Sequence, residues 1–249
     1  MRIGLLECDH VREKFQHIAG DYRVMFPALF KDFALDWVFY DVINGQFPKS
    51  VQECDAYICT GSRFSVYDNE PWIVTLKTFV QILKKARKPF VGICFGHQML
   101  AEALGGKVEK AAVGWCVGVH KFKVSSGVSS LECGVSNESF SHSTLRTLNL
   151  TLHLMMMCQD QVQQLPEGAK VLASAADCPV AMMQIDDFML GIQAHPEFTI
   201  AYEAALIEAR IERIGAEKAE AALQTLTQKI DNQLTANWII SFIKSAINS

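Results

Sequence analysis

The apolar, β-prone run Pro89-Phe90-Val91 leads into Gly92-Ile93-Cys94-Phe95-Gly96 and then into the helix-like stretch His97-Gln98-Met99-Leu100-Ala101-Glu102-Ala103-Leu104. The pattern is a strand that turns at once into a helix. Glycines two positions either side of the cysteine let neighbouring backbone approach where a Cβ would clash, and the sharp turn lifts Cys94 clear of the sheet as a nucleophile elbow. A thiol there sits at a helix N-terminus, where free N–H groups and the helix dipole favour the thiolate. The same residues also suit a buried cysteine between loop glycines, because cysteine is among the most buried residue types.

A second segment, Leu190-Gly191-Ile192-Gln193-Ala194-His195-Pro196-Glu197-Phe198, ends a short apolar strand at a histidine with a carboxylate two positions later. In extended chain, residues i and i+2 point the same way. Glu197 can then hold one ring nitrogen of His195 while the other faces a thiol. Pro196 fixes its own backbone and biases His195 toward an extended conformation. Taken alone a His-Pro-Glu segment also suits a surface loop. Together with the elbow it supplies nucleophile, base and orienting acid in that order along the chain.

These residues resemble the class I (triad) glutamine amidotransferases, whose domain carries a G-x-C-x-G-x-Q elbow and a terminal H-P-E. Gly92, Cys94, Gly96, Gln98, His195, Pro196 and Glu197 match that pattern. Tyr57-Ile58-Cys59-Thr60-Gly61-Ser62 is similar to the family's strand ending in a glycine turn, and Gly105-Gly106-Lys107-Val108 to the turn after its elbow helix. Gln159-Asp160-Gln161-Val162, followed by Leu165-Pro166, resembles a stretch that usually reads Ser-His-x-Asp-x-Val. The free-standing members close to the cytosolic γ-glutamyl peptidases also share Asp41-Val42-Ile43-Asn44-Gly45-Gln46-Phe47-Pro48 and the approach to Tyr67-Asp68 and Trp72-Ile73. The likeness covers almost the whole chain.

The resemblance implies a single three-layer α/β domain of flavodoxin-like fold over residues 1–249, with a core over about 1–198 and a helical C-terminal extension over about 199–249. It implies attack by Cys94 on a γ-glutamyl amide, with N–H groups near Gly61 and of Phe95 as the oxyanion hole, each donor commonly worth about 3–4 kcal/mol. His195 protonates the leaving nitrogen, which an amide requires, and Glu197 orients the imidazole. Gln98, Ser62 and Asp160 are the expected substrate-side residues, Gln98 in a supporting role. No step calls for a metal or an organic cofactor. The implied partners are a small γ-glutamyl substrate and a separate synthetase subunit.

One position departs from the family: Cys158, after Met155-Met156-Met157, stands where a histidine is usual. By resemblance that loop helps recognise the glutamyl ends, so the change bears on substrate preference; as a small core residue it needs no role. Arg63, Tyr67 and Asp68 are candidates for the rim. His10, His17, His120, His142 and His153 form no metal-binding spacing, and Cys8, Cys54, Cys59, Cys116, Cys133 and Cys178 read as structural.

With 249 residues, half of them hydrophobic, one compact domain can bury a sizeable core. Eight scattered cysteines without a C-x-x-C pair argue for reduced thiols and a cytoplasmic setting. A net charge of −4 with mixed signs gives no basic face for nucleic acid and no polybasic anchor for a membrane. The absence of an eighteen-residue apolar run argues the same way against a membrane span, and no P-loop is present.

Strand and helix patterns alternate at first, as a mostly parallel sheet requires. Strands are expected over 2–7, 35–42, 56–60 and 90–93, with helices over 22–33, 71–86 and 96–104. Beyond Gly106, strands over 118–124, 150–156, 170–175, 180–185 and 188–193 follow without long helices, which predicts antiparallel additions and a turn at Asp186-Asp187. From Ile200 to Ile247 the pattern is helical, with breaks near Gly215 and Asp231-Asn232 and an inward face at Leu206, Ile207, Ile211 and Ile214. Three functions fit: a glutaminase subunit feeding a synthetase, a stand-alone γ-glutamyl hydrolase, or a non-catalytic binding protein of the same fold.

Overall fold

A computed structural model describes residues 1–125 and 150–249; His142 and Cys133 lie outside the described residues. The first half of the chain runs β1 (Arg2–Leu6), α1 (Glu13–Ala19), α2 (Tyr22–Leu29), β2 (Asp36–Tyr40), β3 (Ala56–Cys59), α3 (Pro71–Lys85), β4 (Phe90–Ile93) and α4 (Phe95–Ala103). Then come β5 (Lys107–Lys110), β6 (Cys116–Val124), β7 (Thr151–Cys158), β8 (Asp160–Gln164), β9 (Lys170–Ala175), β10 (Cys178–Ile185) and β11 (Met189–Ile192). The chain closes with α5 (Ile200–Glu208), α6 (Ile211–Ile214), α7 (Ala216–Thr225) and α8 (Asn232–Asn248).

Nine strands form one sheet in the order β2-β1-β3-β4-β11-β10-β9-β6-β7. The pairs from β2 to β11 are parallel and those from β11 to β7 antiparallel. The expected mixture of a parallel core with antiparallel additions after Gly106 is what forms.

Strands β3, β4 and β11 are buried along their whole length, as strands covered on both faces must be. Their alternation sorts side chains between two cores. From β3, Ala56 and Ile58 join Phe26 and Trp238 on one face. Tyr57 and Cys59 join Trp72, Phe79 and Phe95 on the other. The sheet is thus the middle of three layers, with α2 and α8 on one side and α3 and α4 on the other. Pro71 occupies the first turn of α3, where its missing N–H costs no hydrogen bond.

Several boundaries differ from expectation. The helix over 22–33 stops at Leu29, where Phe30 closes its C-terminus with a bond from its N–H to the Phe26 carbonyl. The strand over 35–42 narrows to Asp36–Tyr40, and Val42–Asn44 winds into a 3₁₀ turn instead. Helix α1 and the small antiparallel pair β5 and β8 were not anticipated. In the C-terminal helices Leu206, Ile207 and Ile214 are buried as expected, whereas Ile211 is exposed, because the chain turns at Ala209-Arg210 before α6 begins. Asp231 ties this region to the sheet edge: its carboxylate accepts the backbone N–H of His153 at 2.8 Å.

No helix among the described residues is long and apolar enough to cross a membrane, and no group of three or more metal-ligating side chains converges among them.

Candidate active site

The parallel strands β3, β4 and β11 are neighbours in the sheet, and their carboxyl ends feed directly into Gly61, Cys94 and His195. Ligand crevices of open α/β sheets form outside such strand ends. Each element therefore delivers one part of the site.

Cys94 stands between β4 and α4 with φ 51° and ψ −100°, a positive φ that a side chain adopts only under constraint. The constraint is visible. Its N–H donates to the Ile192 carbonyl at 2.8 Å and its carbonyl accepts the Gln98 N–H at 3.0 Å, fastening the turn to β11 below and to its own helix above. The flanking glycines make this turn sterically possible. A Cβ at Gly92 would lie 2.2 Å from the Gly96 carbonyl oxygen, and one at Gly96 would lie 2.5 Å from that of Cys59. Phe95 follows as the first residue of α4, so its N–H is one of the first-turn donors without an acceptor in the helix.

His195 and Glu197 meet as their i, i+2 spacing predicts. The His195 Nδ1–H donates to Glu197 Oε1 at 2.8 Å, and both side chains are buried. The His195 backbone N–H donates to the Met155 carbonyl of β7 at 2.8 Å. On the ring's face lies Phe198, with centroids 4.0 Å apart and planes at 13°, and Tyr202 packs edge-on against Phe198 at 4.7 Å. One hydrogen bond, one backbone anchor and one aromatic plate fix the imidazole. Burial disfavours its charge, yet the neighbouring Cys94 and Glu197 outweigh that cost and hold the imidazolium well above the ordinary histidine range.

Gly61 brings the two halves into register. A Cβ on it would lie 2.7 Å from His195 Cε1 and 3.7 Å from Cys94 Cβ, so its backbone borders both side chains. Gly61 and Phe95, where the oxyanion donors are expected, are thus both neighbours of Cys94.

Gln98 is buried, and its Nε2 donates to the Asp160 backbone carbonyl at 2.7 Å and to Gln193 Oε1 at 3.2 Å. Gln193 in turn donates to Cys94 Sγ at 3.5 Å. Gln193 was missed in the sequence, although its place two residues before His195 on the same strand face was the available signal. Phe198 and Tyr202 were missed as well. The Asp160 carboxylate accepts the Ser65 hydroxyl at 2.5 Å and the Tyr67 hydroxyl at 3.1 Å, linking β8 to the loop after Gly61. Asp68 stays on that loop, accepting the Ser65 N–H at 2.9 Å. Ser62 accepts the Phe64 N–H at 3.2 Å, and Arg63 pairs with Asp9 at 3.1 Å. Cys158 lies buried in the core beside its β6 partner Cys116. Hydrogen bonding to Cys116, with burial, pushes its thiol well above the usual range.

The model of the family described as glutamine amidotransferase class-I matches residues 52–212. "Gamma-glutamyl peptidase 3" of Arabidopsis thaliana is 30% identical over 228 residues, covering 89% of this chain and 88% of the relative. "GMP synthase [glutamine-hydrolyzing]" of Azoarcus is 34% identical over 146 residues, covering 57% of this chain but 25% of the synthase. Among solved structures, a glutamine amidotransferase from Thermotoga maritima superposes with a TM-score of 0.72 at 17% identity, covering 100% of this chain and 99% of its own. With the family model spanning well over half of the sequence, the chain belongs to the class I glutamine amidotransferase family.

Proposed function

We propose that this chain is a γ-glutamyl hydrolase that cleaves γ-glutamyl amides, above all γ-glutamyl peptides, through a glutamyl thioester on Cys94. The observation that carries the reading is the convergence of an elbow cysteine, a Glu197-bound histidine and the Gly61 backbone at three adjacent strand ends.

Cys94 thiolate adds to the amide carbonyl while the Phe95 N–H and the backbone near Gly61 receive the developing oxyanion. As the C–N bond breaks, His195 gives its proton to the departing nitrogen, which leaves as an amine. Glu197 stabilises the imidazolium before that transfer and holds the ring in orientation throughout. Water then yields a proton to His195 and attacks the thioester, releasing glutamate and returning the thiolate. Asp160, bonded to Ser65 and Tyr67 of the loop after Gly61, is suited to the substrate's ammonium. Gln98 uses its donors on Asp160 and Gln193 and so acts as a positioning residue.

Residues 1–249 are proposed to work as one unit, with the helices after residue 198 closing the His195 side. The free thiols of the seven described cysteines support a reducing, cytoplasmic setting. The similarity to a GMP synthase favours one second reading, in which the chain releases ammonia from glutamine for a separate synthetase subunit.

The test is turnover of purified protein on glutamine and on a panel of γ-glutamyl peptides, with Cys94→Ser as control. Cleavage of peptides by the native protein alone supports the hydrolase. Ammonia release that appears only with a synthetase added supports the second reading, and no turnover under either condition refutes both.

A further inference from the structure

A cavity of about 60 Å³ opens beside His195, and Asp160 is not among the residues that line it. His195, Phe198 and Ser62 line it, together with Arg12, Arg63 and Arg210 from three separate parts of the chain. Three cations around a small cavity next to a proton donor is an unusual arrangement. Its charges are unequally satisfied.

Arg63 is neutralised by Asp9 at 3.1 Å. That carboxylate is then fully engaged, accepting the backbone N–H groups of Arg63 at 2.9 Å and His10 at 2.8 Å. The His10 ring is held by Asp21 and Asp41. Arg210 has no carboxylate in ion-pair contact among the described residues. Its Nη1 is buried without a hydrogen-bond partner among the described residues. Burial lowers its proton affinity, and the like charge of Arg12 lowers it further. Glu203, the carboxyl whose charge acts on Arg210, directs one oxygen to the Gly118 N–H at 3.1 Å, and burial raises its pKa to about 7. A buried donor without an acceptor, on a cavity shared with a second guanidinium, is stabilised by an anion that pairs with both.

Position identifies the anion. The cavity touches His195, which in the hydrolytic reading hands its proton to the leaving nitrogen, and excludes Asp160, assigned there to the glutamyl end. Whatever extends from the leaving nitrogen enters this cavity. We infer that the cavity lined by Arg12 and Arg210 is a subsite for the terminal carboxylate of the leaving group, making the substrates γ-glutamyl peptides with a free C-terminus. The inference rests on the hydrolytic reading for its orientation. Arg210 is then a specificity-determining residue that sequence inspection had no means to place near His195.

The test uses full-length Cys94→Ser protein and calorimetric titration with γ-glutamyl-alanine and γ-glutamyl-alanyl-glycine, each as free acid and as C-terminal amide. At least one free acid is expected to bind about tenfold more tightly than its amide. Arg210→Gln is expected to remove that preference by weakening the acid about tenfold and leaving the amide unchanged. Arg12→Gln, at an exposed position that leaves the core intact, is expected to act the same way. A preference below twofold for both pairs, equal weakening of acid and amide, or binding of neither form overturns the subsite. Parallel kinetics with the native thiol separate the two ideas. If nothing is hydrolysed while the Arg-dependent acid preference persists, the hydrolytic reading falls and the carboxylate site stands.

Discussion

Replacing Glu203 with glutamine is expected to stabilise the protein progressively as pH rises, relative to the native chain. Glu203 lies in α5 without solvent exposure. One of its oxygens accepts the Gly118 N–H, and the other has no partner among the described residues. Burial raises its pKa from 4.5 to about 7. Between those values the native state keeps a proton that the unfolded chain has lost, so stability falls as pH rises through that window. At about 1.4 kcal/mol per unit, the displacement corresponds to about 3 kcal/mol. Glutamine keeps the acceptor for Gly118 and does not titrate. Urea unfolding of both proteins from pH 4 to pH 8 measures the difference directly, and the variant is expected to gain about 3 kcal/mol across the series. His97 works in the opposite sense. It is wholly buried, and burial moves its pKa from 6.5 down to about 4, so its contribution is lost as pH falls through that range. The two slopes oppose each other in the native chain, and Glu203→Gln uncovers the histidine's acid loss. A stability difference that stays constant within about 1 kcal/mol from pH 4 to pH 8 would refute the reasoning.

Three further outcomes are expected. Because Glu197, after Cys94, helps hold the His195 imidazolium above its usual range, the alkaline limb of the activity profile, where that proton is lost as pH rises, is expected to shift to lower pH in Glu197→Gln; kcat/KM against pH reads this, and an unmoved limb contradicts the role. Gly96→Ala places a Cβ 2.5 Å from the Cys59 carbonyl oxygen, and thermal unfolding is expected to show a loss of about 2 kcal/mol or more, with a retained Tm contradicting the close contact. Gln193→Leu removes the donor to Cys94 Sγ and an acceptor for Gln98, leaving buried groups unpaired; kcat is expected to fall about tenfold with little change in KM, and a change confined to KM would show that it serves binding.

What was legible in the sequence is what local patterning controls. Strands β3, β4 and β11 read correctly because burial on both faces leaves no polar position to blur them. The elbow and the His195–Glu197 pair follow from spacing alone. Helix α1 escaped because its seven residues bury no side chain and Arg12 supplies no side-chain cap. Strands β5 and β8 escaped because Lys107–Lys110 buries one side chain and Asp160–Gln164 starts and ends in half-buried or exposed polar residues. Their identity comes from each other and from α4 beneath them. The arginine-lined cavity lay further out of reach, since Arg12 and Arg210 meet through the packing of α1 against α5, elements at opposite ends of the chain.

The backbone at Cys94, held at φ 51°, has a consequence for how variants of this protein are judged. A residue kept in such a conformation stores about 1–3 kcal/mol, which a glycine would not have to bear. Cys94→Gly therefore relaxes the molecule at the same moment that it removes the sulfur. Any screen that rewards heat resistance or expression yield will favour that replacement, enriching sound but inert proteins. Robustness and reactivity pull against each other at this one turn, and selection must act on reactivity to keep the thiol.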